Sequence, residues 1–174
     1  MIEIPENEIV WANNQHMFFV ASAPENSDGH VNCSPKGGDC FLLDESHFYY
    51  ADYTGSGIET VAHIKQNKRI CIMFCSFDKV PKILRFHGQG SYISREDSEF
   101  NILKKKIPYH RSIRAFIKVK IERYQKSCGY GVPIMEFKKD RETLLKWADS
   151  KSDDELITYQ VDNNTKSIDG LSGI

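Results

Sequence analysis

Along residues 69–77, apolar side chains fill both phases of a strand. Ile70, Ile72 and Phe74 alternate with Cys71, Met73 and Cys75, which predicts a strand covered on both faces and central in its sheet. Residues 114–127 alternate more cleanly. Ala115, Ile117, Val119 and Ile121 fall on one face, Phe116, Lys118, Lys120 and Glu122 on the other, the pattern of one core face and one mostly wet face. Segments 16–23, 30–35, 48–52 and 83–94 are likewise rich in β-branched and aromatic residues and bounded by turn chemistry. Six strands predict a mainly β fold, a barrel. Helical patterns flank it at 58–66, at 96–104 where Ser94 and Asp97 are placed to cap, and at 141–148 and 153–163. The tail 167–174 reads as irregular, a segment able to dock on a partner subunit. No repeat or low-complexity tract divides the chain, so one domain over 1–174 is expected, with the barrel over about 12–127 and a C-terminal helical extension over about 140–174.

The run T-G-S-G-I-E-T, Thr54 to Thr60, joins a strand to a helix. A glycine-rich turn there presents free backbone N–H groups and the positive end of a helix dipole, the physics of a phosphate cradle. A second reading is structural: Ser56 and Glu59 have the spacing of a capping box. Both remain open from the residues alone, and Glu59 would repel a phosphate placed beside it.

Length and composition narrow the field. A chain of 174 residues, 40% hydrophobic, is long enough to bury a core without disulfides. The formal charge of −1 argues against a nucleic-acid binder. Residues 1–9 carry three glutamates and no lysine or arginine, unlike a secretory signal or a presequence, so a cytoplasmic protein is expected. The longest apolar runs, 17–21 and 70–75, are too short to span a bilayer. Neither the five cysteines nor the six histidines show zinc-ligand spacing, and no metal is expected. No nucleophile elbow, Walker loop or triad is legible either.

Four segments then fall into a known order. V-N-C-S-P-K-G (31–37), Y-Y-A-D-Y-T-G-S-G-I-E-T (49–60), N-K-R-I-C-I-M-F (67–74) and I-L-R-F-H-G-Q-G (83–90) resemble the pyridoxamine 5'-phosphate oxidase-like family. An uncharacterised bacterial and fungal branch of it also carries S-C-G-Y-G-V-P, here 127–133, and an ending like S-I-D-G-L, here 167–171. The resemblance implies an FMN-binding split β-barrel, a homodimer with the flavin held between subunits. It implies FMN phosphate contacts from Ser34, Lys36, Ser56, Gly57 and Thr60. Lys82 and Arg85 are implied near the pyrimidine edge of the ring, where a cation stabilises the reduced flavin. Cys128 and Tyr130 are candidates for a substrate pocket. Val31 and Glu59 stand where flavin-binding relatives have basic residues, which predicts weaker FMN affinity. The R-L-H-D-R substrate segment of the true oxidases has no counterpart.

Two classes of function follow. One is an FMN-dependent oxidoreductase moving a hydride between a small molecule and flavin, and not a true pyridoxamine phosphate oxidase. The other is a non-enzymatic dimer that has lost flavin. A different planar cofactor, deazaflavin or haem, is the remaining alternative within the same cleft.

Overall fold

The computed structural model describes residues 2–174. Seven strands form one antiparallel sheet: β1 (Met17–Ser22), β2 (Asn32–Gly37), β3 (Phe41–Leu43), β4 (His47–Tyr53), β5 (Arg69–Cys75), β6 (Ile83–Ser94) and β7 (Ile113–Ser127), in the order β2-β1-β5-β6-β7-β4-β3. Five helices accompany them: α1 (Glu6–Asn13), α2 (Glu59–Asn67), α3 (Ser98–Leu103), α4 (Thr143–Asp149) and α5 (Asp153–Asn164). The fold is mainly β, a curled half-barrel with flanking helices, as the pattern and the resemblance imply. It has one strand more than the six expected. The extra one, β3, is three residues long, too short for alternation to register.

The sheet curls until strands that share no hydrogen bonds meet through their side chains. Three strands separate β1 from β4 in the sheet order, yet the Phe18 ring lies 5.0 Å from Phe48 and 5.5 Å from Tyr50. Phe41 and Phe74 close the same cluster. Phe18, Phe48 and Phe74 are fully buried, each contributing about 1.5–3 kcal/mol of hydrophobic stabilisation.

Two glycines permit this packing. A Cβ on Gly88 would stand 2.0 Å from the Lys120 carbonyl oxygen, at the place where the β6–β7 register shifts. One on Gly90 would stand 2.8 Å from Ile64, so Gly90 lets α2 settle against the sheet.

The strand expected to be covered on both faces is covered fully on one. Ile70, Ile72 and Phe74 of β5 are buried, while on the other face Cys75 is buried and Cys71 and Met73 are half-buried. β5 is interior, between β1 and β6.

Three end assignments also differ. The Ser56–Glu59 capping box does not form: α2 begins after Ile58 with no side-chain cap, and Glu59 Oε1 accepts instead from the Ile168 N–H (3.1 Å). Ser94 does not cap α3, since its N–H and hydroxyl both donate to Asp97 (2.7 and 2.8 Å) before the helix starts. A capping box is present where none was read, at Ser152 and Glu155 before α5.

Candidate functional site

The glycine-rich turn lies between the end of β4 and α2, and its carbonyl oxygens are tied back into the protein. Asn164 Nδ2 donates to the Gly55 oxygen (2.8 Å) and Arg114 NH2 to that of Gly57 (2.8 Å). Gln160 Nε2 donates to Thr54 Oγ1 (2.7 Å). The amide groups are left over. The first helical bond of α2 runs from Ala62 N to Ile58 O (3.0 Å). Ahead of it no backbone N–H from Ser56 to Val61 donates to a protein acceptor among the described residues. A turn with its carbonyls bonded to side chains and its amides free is an anion cradle in the electrostatic sense.

The residues that carry these amides, Ser56 to Val61, line a cleft of about 1150 Å³. Ser34, Lys36, Ser56, Gly57 and Thr60 all line it, so five of the expected contacts come together. Along β2, Asn32, Ser34 and Lys36 are half-buried at the cleft, while Cys33 and Pro35 are exposed, Pro35 still at the edge of the lining. Val31, just before the strand, is 76% exposed and does not line the cleft.

Asn32 organises the floor. Its Nδ2 donates to Thr60 Oγ1 (3.0 Å), its Oδ1 accepts from Ser34 Oγ (3.0 Å), and it reaches Ser22 (3.3 Å), whose hydroxyl meets His63 Nδ1 (3.0 Å). Because Thr60 Oγ1 is an acceptor in that bond, its own O–H remains a donor, for which the neighbouring Tyr50 hydroxyl competes. Burial lowers the His63 pKa and keeps the ring neutral.

Arg114, which sequence reasoning missed, also lines the cleft. It is 6% exposed, its Nε donates to Asp52 Oδ2 (2.7 Å), and its NH1 is buried with no partner. A buried guanidinium needs a carboxylate, and an arginine beside Ala115 and Phe116 in an apolar strand was the available signal. Its partner lies 62 residues away, beyond any local pattern. Tyr53 is a further cleft residue; burial pushes its phenol up to about 12, so it stays a protonated donor.

The remaining expected residues lie elsewhere. Lys82 pairs with Glu8 (2.6 Å) and sits 4.0 Å from the Trp11 ring centroid. Arg85 NH1 donates to Ser127 Oγ (3.1 Å). Neither lines the cleft in the single chain. Cys128 is exposed and Tyr130 is 82% exposed, also outside the cleft lining. The segment after them does reach it: Met135, Phe137 and Arg141 line the cleft, and Phe137 stacks on His16 at 3.6 Å and 6°. Among the described residues no three His, Cys, Asp or Glu side chains group as a metal site.

The tail lies on its own chain. Asp169 pairs with His30 (2.6 Å), Ile168 binds Glu59, and Lys65 Nζ donates to the Gly173 carbonyl. The tail therefore packs against the turn and α2.

Comparison with known proteins places these features in one lineage. The family model described as pyridoxamine 5'-phosphate oxidase matches residues 7–128. The chain belongs to the pyridoxamine 5'-phosphate oxidase family. A relative in that family, the pyridoxamine 5'-phosphate oxidase family protein ustO of Aspergillus flavus, is 38% identical over 182 aligned residues, covering 94% of this chain and 73% of that protein. Solved structures with a similar fold include HupZ of Group A Streptococcus (TM-score 0.59, 21% identity, 76% of this chain and 100% of that one). A FAD-binding protein of Mesorhizobium loti is similar at a TM-score of 0.52 and 12% identity, over 72% of this chain and 95% of that one. The family match ends at Cys128, so α4, α5 and the tail lie outside it.

Proposed function

We propose that this member of the pyridoxamine 5'-phosphate oxidase family is a flavin-dependent oxidoreductase that moves a hydride between a small molecule and flavin, acting as a cytoplasmic homodimer. One observation carries the reading: free amides from Ser56 to Val61, an unpaired Lys36 and the buried Arg114 meet in one cleft. The amides, the Lys36 ammonium and Arg114 NH1 have no protein acceptor to serve, while Arg114 Nε and NH2 are held by Asp52 and the Gly57 carbonyl.

The residues fit a flavin phosphate. Lys36 supplies a cation with no ion-pair partner among the described residues, Thr60 an O–H and Ser56 a hydroxyl, while Ser34 would have to turn its O–H away from Asn32 to join them. Charge-assisted bonds of this kind are worth about 1.5–3 kcal/mol each, against about 0.5–1.5 for neutral ones. Glu59 opposes them, but less than its position suggests, since the Ile168 N–H holds one of its oxygens toward the tail. The bound flavin would supply reversible hydride acceptance. The chain orients it, and Tyr53 keeps a proton at its hydroxyl within the cleft. That a structural neighbour is a FAD-binding protein supports the same class of ligand.

The test is the visible absorption spectrum of the purified protein before and after incubation with FMN and gel filtration. A flavin spectrum retained in a fraction eluting at twice the chain mass is expected. A colourless protein at saturating FMN would remove the flavin and leave the non-enzymatic reading.

A further inference from the structure

We infer that the groove between α4, α5 and the glycine-rich turn is a second compartment of the same site, taking the adenosine half of a dinucleotide flavin. This rests on the flavin reading above. The groove is about 460 Å³, lined by Gly55, Ser56, Arg141, Leu144, Trp147 and Tyr159 among others. Gly55, Ser56, Arg141 and Leu144 also line the larger cleft, so the two cavities meet across the turn. A ligand anchored by its phosphate on the turn can therefore extend to either side.

The chemistry of the second compartment suits a base. Trp147 and Tyr159 pack edge to face, 4.8 Å apart and inclined at 68°, which fixes the indole while leaving both rings half-buried at the groove. An aromatic face in partial contact with water is a stacking platform. Arg141 has no ion-pair partner among the described residues and stands at the junction, where a dinucleotide carries its diphosphate. A mononucleotide ends at the turn and would leave that indole in water. The rings come from α4 and α5, beyond the residues of the family match, so the compartment belongs to this chain's extension and not to the common barrel.

Titration of the full chain with FMN, FAD and AMP tests this. FAD should bind roughly tenfold tighter than FMN, and Trp147→Leu should remove that advantage while leaving FMN affinity within twofold. In a Trp11→Phe background, where Trp147 is the remaining indole, AMP alone should quench the fluorescence; this readout needs no change at the groove. Equal FAD and FMN affinities, with no quenching by AMP, would overturn the compartment while the flavin reading stands. Failure of both flavins to bind would overturn the two together.

Discussion

The two ends of this barrel are built on opposite terms. At one end Phe18, Phe41, Phe48 and Phe74 interlock with ring centroids 5.0–5.8 Å apart and no polar atom among their side chains. At the other, Arg114 NH1, Glu59 Oε2, His63 Nε2 and Asn164 Oδ1 are all buried without partners. Burying an unsatisfied polar group costs about 1–3 kcal/mol, so the second end spends stability that the first supplies. Native proteins carry few such groups, and they concentrate at sites of function. Where the orphans cluster, around the glycine-rich turn and the first half of α2, is where a ligand has something to add.

The contrast can be broken at either end. Phe18→Ala should have the largest effect, about 3–5 kcal/mol by denaturant unfolding, because the cavity it opens touches four other rings. Flavin affinity per folded molecule should be unchanged. Arg114→Ala should cost a comparable or smaller amount by leaving the Asp52 carboxylate buried and alone. The pairing Arg114→Met with Asp52→Leu separates the two roles of that arginine. Stability should return to within about 1.5 kcal/mol of the parent, whereas flavin affinity should stay low, because the Gly57 carbonyl is then unpinned. Recovery of both together would reduce Arg114 to a core residue.

The smallest effect concerns the tail and depends on pH. The hydrogen bond to Asp169 raises the His30 pKa above its ordinary 6.5, and the same bond lowers the Asp169 pKa below its ordinary 3.8. The raised histidine contributes fully below pH 6.5 and is lost as pH rises through its folded value. The depressed carboxylate contributes above pH 3.8 and is lost as pH falls through its own. The protection factors of the amides at residues 168–171, exchange corrected for the intrinsic rate at each pH, should therefore be highest between about pH 4 and about pH 6.5 and should fall above that window. His30→Gln should abolish the dependence; an unchanged profile in that variant would assign it to another group.

How far the sequence revealed all this varies by residue. The alternation from Ala115 to Glu122 and the apolar run of β5 exposed the sheet, although Phe116, expected on the wetter face, is buried because the first five residues of β7 are covered on both sides. β3 and α1 went unread, the first for its shortness and the second because Glu6–Asn13 has almost no amphipathic contrast. At the site, the turn and the cleft side of β2 were legible because glycines and an edge strand leave local marks. Arg114 and Asn164 were not, because what they do is defined by partners 57 and 109 residues away. The Ser56–Glu59 spacing misled for a related reason: a remote segment, at Ile168, claimed the carboxylate that the local pattern had assigned to the helix.

That same distance sets an order of events in the growing chain. The turn at 54–60 is translated some hundred residues before the side chain and the amide that pin it, each 109 positions later. β7 ends at Ser127 and Asn164 follows 37 positions later, so at about 5–20 residues per second roughly two to seven seconds separate the last strand from the side chain that pins the turn. The barrel is thus able to form before it can grip anything. Binding competence arrives as a late maturation step, governed by when α5 and the tail come to rest.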